Sequence, residues 1–464
     1  MSAQPIPVMP EIIQGGMGVY ISTPFLANAV SLNGALGTVS GVAPERVLAR
    51  LLGKGDPGGH YRRALAHFPF PDVAQQVIDT YFVEVGDTHE GKAKNAPLFT
   101  VDPPPALIAL TICANFAFVY LAKEGHNNPV SINYLEKIAL PHLYSLTGAL
   151  LADVDFVTMG AGMPLQIPEV IDDLVSGRTA HYRVPVAGTT ITSHTMSFDP
   201  TDFFGKKLSS LKKPGFIPII ASNLLADIFM KKLPQGSVYG FVVEEPTAGG
   251  HNARPRKGGV YGPKDEVDYA SIAKLGLPFW IGGSKASSNG LRWARSVGAV
   301  GIQAGSIFAL SDESGMKPDI RREIRRHGFT GTLEVRTDMR ASPTGFPFKV
   351  VTLQGSLSEE EVHLARQKFC DQGALRTLFE DRDGSIGYRC PGEPFSAYLR
   401  KGGRVEETEG VRCMCNGLLA TAGLGDGTEA PLVTLGDDVD FLQSLMNDPE
   451  DSYGVIEALA YLRA

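Results

Sequence analysis

With 464 residues, 43% hydrophobic and 20% charged, the chain has ordinary globular composition, long enough for a large core and too apolar for global disorder. The net charge of −7 is mild and excludes nucleic acid as the main partner; the dense basic stretch Arg321, Arg322, Arg325, Arg326 reads as a solvated helix face. Five cysteines (113, 370, 390, 413, 415) are an odd number and make no disulfide framework, and nothing at the N-terminus resembles a secretory signal, so a cytoplasmic setting is expected.

In chain order, residues 11–14 read as a short strand running into Gly15, Gly16, Met17 and Gly18, and residues 24–33 as a helix stopped by Gly34. A second strand covers 35–40, and 44–83 is mostly helical around the loop 53–60. Residues 103–122 carry no charge and are barely membrane-length. Three prolines at the head and Asn115 in the middle argue against a span, so no membrane is expected; the reading is a third strand over 107–115 leading into a helix. Residues 133–151 then read as helix, 155–160 as a fourth strand and 168–175 as helix.

The stretch 181–198, rich in Val and Thr with a central Gly, predicts a β-hairpin inserted between units, within an insertion spanning about 179–213. Alternation resumes with strands at 216–221, 238–243, 278–282 and 299–303, separated by helices. Eight strand–helix units predict an α/β fold, a (β/α)8 TIM barrel over residues 1–314, with a doubly wound sheet as the alternative. Residues 315–464 read as an appended C-terminal α+β subdomain: two or three β-like runs in 329–353, a helix over 358–379 capped by Ser358, then Gly- and Pro-rich chain.

In such a barrel the chemistry sits at the C-terminal strand ends. Those ends are glycine-rich here. After the sixth strand comes Thr247-Ala248-Gly249-Gly250-His251, which puts an imidazole at the rim where it can exchange a proton near neutral pH. After the seventh and eighth come Gly282-Gly283-Ser284 and Gly305-Ser306, each leading into a helix, the arrangement that binds phosphate through backbone N–H groups. A phosphorylated cofactor across the mouth is therefore expected, and FMN fits: Gly15, Gly16 and Met17 would allow close backbone contact with a flat ring, with Asn115 and Gln303 as amide partners. No GxGxxG with a following ribose-binding acid is present, which argues against a Rossmann NAD site.

Four motifs, IIQGGMG (12–18), ALGTVSG (35–41), TAGGHN (247–252) and WIGGSKAS (280–287) with GIQAGSIFA (301–309), resemble the nitronate monooxygenase / 2-nitropropane dioxygenase family, FMN-dependent TIM barrels related to flavin-dependent enoyl-acyl-carrier-protein reductases. The resemblance covers about residues 11–310 and implies FMN as cofactor, His251 as the catalytic acid/base, Gly282, Gly283, Gln303, Gly305 and Ser306 at the phosphate and ribityl chain, and Gly16, Met17, Asn115 and Gly250 near the ring. It implies oxidation of a nitronate or carbanion-type small molecule with O2. Two alternatives stay open: an NAD(P)H-dependent reductase of an enoyl thioester or quinone, and a non-catalytic flavoprotein or subunit of a biosynthetic complex. Homo-oligomerisation also stays open. The loop after His251 departs from the family and brings Arg254, Arg256 and Lys257 close, either to meet an anionic substrate or as a solvated loop. Cys390, Cys413 and Cys415 lack paired C-x2-C knuckles and an evident fourth ligand, so no metal is expected and they read as ordinary thiols.

Overall fold

The computed structural model describes residues 10–84, 94–208, 211–257 and 259–464. The N-terminal residues 1–9, part of the expected insertion (209–210) and Gly258 of the loop after His251 lie outside them.

Eight parallel strands form the barrel: β1 Ile12–Gln14, β2 Gly37–Ser40, β3 Val130–Leu135, β4 Phe156–Gly160, β7 Gly215–Ile220, β8 Phe241–Glu244, β9 Phe279–Gly282 and β10 Gly301–Ala304. Their order is β1-β10-β9-β8-β7-β4-β3-β2. Closure runs through the backbone, Gln14 N donating to Leu36 O and Leu36 N to Ile12 O, both at 2.9 Å. With helices outside and side chains inside, these strands are buried on both faces, which is why most of them read as short apolar runs.

The third strand corrects the sequence expectation. Residues 107–115 belong to one helix, Pro105–Lys123, which buries 14 of its 19 side chains in the core. A continuous apolar run suits a buried strand or a buried helix equally; here the run continues through Lys123, long for a strand, and the helix is apolar all round because it is buried all round. This placement accounts for the membrane-like composition of the segment. The strand is instead β3, where Ser131 and Asn133 alternate with Val130, Ile132 and Tyr134, overlapping the first residues of the stretch expected to be helical. The following helix begins only at His142.

The predicted hairpin is present as β5 Ala180–Ala187 and β6 Ser193–Phe198, paired antiparallel. It does not stand alone. β11 Val335–Asp338 and β12 Phe348–Val351 form a separate ribbon, while β13 Thr377–Glu380 pairs parallel with β5 and antiparallel with β14 Ile386–Arg389. The sheet β14-β13-β5-β6 thus ties the hairpin to chain almost two hundred residues later. The helix expected over 358–379 is limited to Glu360–Ala365. Ser358 does not cap it; its buried hydroxyl accepts from Leu353 N at 3.0 Å and closes a turn. Residues 377–380 are drawn into the sheet, and pairing overrides the local helical pattern there.

Candidate active site

The barrel interior is layered by the two-residue period of its strands. Ile13, Leu36, Phe156, Ile217, Val242 and Trp280 form a closed apolar plug, with Trp280 Nε1 donating to Pro10 O at 3.0 Å. Two residues further along the same inward faces stand Gly15, Ile219, Glu244 and Gly282. Going from Trp280 to Gly282 turns a filled barrel into an open one. Above the plug lies a cavity of about 220 Å³, lined by strand ends and roofed by Leu375, Met414, Leu418, Leu419 and Leu435.

His251 lines this cavity from the turn after β8. Gly250 before it has φ of +80° and nothing near its missing side chain, so it both permits the turn and leaves the wall open. The imidazole is held from the far side: Nε2 is 2.7 Å from the Ser342 hydroxyl, and its ring meets Phe348 edge-on at 4.9 Å. His251 also bridges to Phe348 in a short antiparallel contact. Burial, reinforced by the nearby Lys137 charge, lowers its pKa to about 4, so it is neutral at physiological pH.

Glu244, the last residue of β8, points into the same cavity. Part of its surface reaches the cavity, yet protein surrounds it, and desolvation pushes its carboxyl up to about 8. No hydrogen-bond partner holds it among the described residues. Glu245 has the opposite environment. It accepts from Lys285 Nζ and from the Tyr269 hydroxyl, both at 2.7 Å, and so clamps the β8 turn to the β9 turn.

The two expected phosphate turns both line the cavity. Gly283 has φ of +106°, and a Cβ there would stand 2.7 Å from Thr247 Oγ1, a hydroxyl that is itself buried without a partner. At Gly282 and Gly305 a Cβ would meet nothing closer than 3.6 Å, so space and not crowding keeps the wall thin. The Ser306 hydroxyl accepts from Gly436 N at 2.9 Å, which leaves its own proton to donate. Gly436 belongs to a C-terminal segment laid over the site: Asp437 N donates to Thr247 O and Gly250 N to Thr434 Oγ1. Buried Lys349 donates its backbone N–H to Gly250 O and pairs its ammonium with Asp437.

Of the expected site residues, Gly16, Met17, Gly250, His251, Gly282, Gly283, Gln303, Gly305 and Ser306 all line this one cavity. Asn115 does not. It is fully buried in the helix Pro105–Lys123, donating to Thr111 O and accepting from the Tyr134 hydroxyl, both at 2.9 Å. The amide at the mouth is Asn133 of β3, braced by Thr158 Oγ1 at 2.9 Å and so close to Gly16 that any side chain at 16 would clash. Arg254 and Arg256 line a neighbouring cavity of about 260 Å³ that shares Glu244 with the first; exposed Lys257 lines neither. The sequence reading missed Lys137, whose ammonium lies 3.6 Å from the Phe346 ring centre, with the Arg254 guanidinium 5.7 Å from it. It also missed Ser342 and the roof. Alternation in VSINYL carried a signal for Asn133; nothing local marked Ser342.

No protein-family model and no curated protein matches the chain. Among solved structures, FabK from Thermotoga maritima is similar over 98% of this chain and 92% of that one, with a TM-score of 0.50 and 14% identity. The chain shares the barrel fold of FabK. A nitroalkane oxidase from Streptomyces ansochromogenes is similar over 98% of this chain and 94% of that one, with a TM-score of 0.44 and 14% identity.

Proposed function

We propose that the protein is an FMN-dependent oxidoreductase in which His251 handles a substrate proton. The carrying observation is convergence: His251, Gln303 and the turns Gly282–Gly283 and Gly305–Ser306, distant in sequence, face one cavity. The residues fit the cofactor. Thr247 Oγ1 is a buried hydroxyl lacking a partner, and the positions of Gly250, Gly282 and Gly305 leave open space for a flat, phosphorylated molecule. When bound, FMN supplies the acceptor or donor of a hydride equivalent or electron. Backbone N–H groups of Gly283 and Gly305 with the Ser306 hydroxyl would hold its phosphate, and Gln303 and Asn133 would offer amides to its ring. The apolar roof excludes water.

The finer reading is oxidation of a nitronate or carbanion-type substrate with O2, similar to the nitronate monooxygenase family. A neutral His251 supports it, because the free lone pair of a neutral imidazole can accept the carbon proton whose loss makes the carbanion. Glu244, protonated near neutral pH, faces the same space as a hydrogen-bond donor. Environments that push two groups in opposite directions suit an acid–base division of labour. A second reading, an NAD(P)H-dependent reductase of an enoyl thioester or quinone, draws support from Lys137 and Arg254. Both cations gather at Phe346, and the Lys137 charge acts on His251, so a phosphate-bearing substrate reaching His251 would feel them.

Purified protein that releases a flavin on denaturation supports the cofactor assignment, and protein with none sinks it. Anaerobic stopped-flow separates the two reactions: bleaching by a nitronate but not by NADPH supports the oxidase reading, and the reverse supports the reductase.

A further inference from the structure

Four of the five free cysteines converge. Cys370, Cys390, Cys413 and Cys415 line one narrow void together with Arg412 and Asn416. They arrive from three places: the irregular chain after the helix Glu360–Ala365, the end of β14, and the start of the helix Met414–Thr421. Cys113 sits apart in the core helix.

Around the void, buried polar atoms lack partners, mostly donors, with Gln372 Oε1 and Glu429 Oε1 acceptors among them. Arg412 Nη1 and Asn416 Nδ2 have no hydrogen-bond partner, nor have Nε and Nη2 of Arg366, whose charge acts on Cys413. Both guanidiniums do pair elsewhere, Arg412 with Glu360 and Arg366 with Glu429, so the surplus is on their remaining N–H groups. Buried N–H donors without an acceptor are costly and rare. Neutral thiols are weak acceptors and do not satisfy them. A cluster of thiols beside unpaired cationic donors is the environment of a missing anionic, sulfur-rich group.

We propose that Cys370, Cys390, Cys413 and Cys415 bind a thiophilic metal as a four-thiolate centre. Metal binding displaces the thiol protons, and the resulting anionic centre presents sulfur acceptors to Arg412 and Asn416. Among the described residues no three His, Cys, Asp or Glu side chains are gathered tightly enough to ligate one ion. A tetrahedral zinc needs sulfurs at about 2.3 Å from one point. The void holds about 10 Å³, so a single ion would draw the thiolates in around it, whereas an iron–sulfur cluster would need them to open around a broader core. Cys415 also lines the main cavity, which places the centre one side chain from it. This inference stands independently of the flavin reading.

The test is the metal content of the full chain, purified without oxygen and then reconstituted with ferrous iron and sulfide or with zinc. Iron and acid-labile sulfide in near-equal amounts, with an electron paramagnetic resonance signal on reduction, identify a cluster; stoichiometric zinc identifies a single ion. Either supports the four-thiolate centre. Cys370→Ser and Cys390→Ser should each lose most of the metal, while Cys113→Ala keeps it. If the serine variants do not fold, alkylation of the native chain decides: metal should protect these four cysteines and not Cys113. Failure to take up either metal, or two disulfides among the four, overturns the proposal. Flavin content enters none of these readouts.

Discussion

The Ser342 hydroxyl stands 2.7 Å from Nε2 of His251, across 91 residues of chain. Ser342 is buried and is itself set by the backbone N–H of Thr344 at 3.2 Å and the Thr344 hydroxyl at 2.7 Å. The imidazole is therefore oriented by the chain beyond the barrel and not by its own turn. Such a bond contributes about 0.5–1.5 kcal/mol, worth up to roughly tenfold in rate. Ser342→Ala should lower kcat/KM by up to about tenfold and move its pH profile while flavin content stays unchanged, and Ser342→Thr should restore most of the loss. Wild-type kinetics in the alanine variant would remove Ser342 from the mechanism.

Glu244 and His251 should give stability opposite pH slopes. The carboxyl is raised from 4.5 to about 8 in the folded chain, so its contribution is full below pH 4.5 and is lost as pH rises through 8. The imidazole is lowered from 6.5 to about 4, so its contribution is full above pH 6.5 and is lost as pH falls through 4. Glu244→Gln keeps the shape without the proton. It should flatten the alkaline loss by about 1–2 kcal/mol, discounted for the carboxyl's access to the cavity. Urea midpoints measured across that range decide it, and an unchanged alkaline slope would show that Glu244 ionises freely.

Gly282→Val should empty the cavity of flavin without unfolding the barrel. The backbone at 282 is ordinary extended strand, and a Cβ would meet Gln303 Nε2 at 3.6 Å, an ordinary contact. The added methyls would occupy the mouth. Flavin retention should drop at least tenfold, with stability changed by less than about 1 kcal/mol. Full retention in a folded variant would place the cofactor elsewhere.

The two asparagines should separate cleanly. Asn115→Ala removes the nearer of two acceptors of the buried Tyr134 hydroxyl, Ser145 O at 3.1 Å being the other, and should cost about 0.5–1.5 kcal/mol of stability with flavin affinity intact. Asn133→Ala, at the mouth, should weaken flavin binding at smaller cost to stability. Fluorescence titration of the flavin beside chemical denaturation reads both quantities, and the reverse pattern would restore Asn115 to the site.

The strand ends were legible because glycine leaves a local mark. Gly15–Gly18, Gly249–Gly250, Gly282–Gly283 and Gly305 are needed where the backbone forms the wall, and all line the cavity. The third strand was not legible. Residues 107–115 are more uniformly apolar than Val130–Leu135, and burial on all sides erases the periodicity that separates helix from strand. Asn115 was misplaced with it, since a polar residue in an apolar run suits a strand end and a satisfied core amide equally well.

The chain by itself determined the alternating units, the hairpin at Ala180–Phe198, the glycine turns and His251, because each depends on residues within about one turn or strand of itself. Tertiary structure alone decided what surrounds them: Ser342 behind His251, Gly436 over Ser306, and β13 beside β5. It also brought Cys370 to Cys390, Cys413 and Cys415, supplying the fourth thiol absent from the local spacing. These contacts join residues across long stretches of chain, and no short-range pattern records them; they exist because chain closure brings together surfaces that neither segment could bury alone.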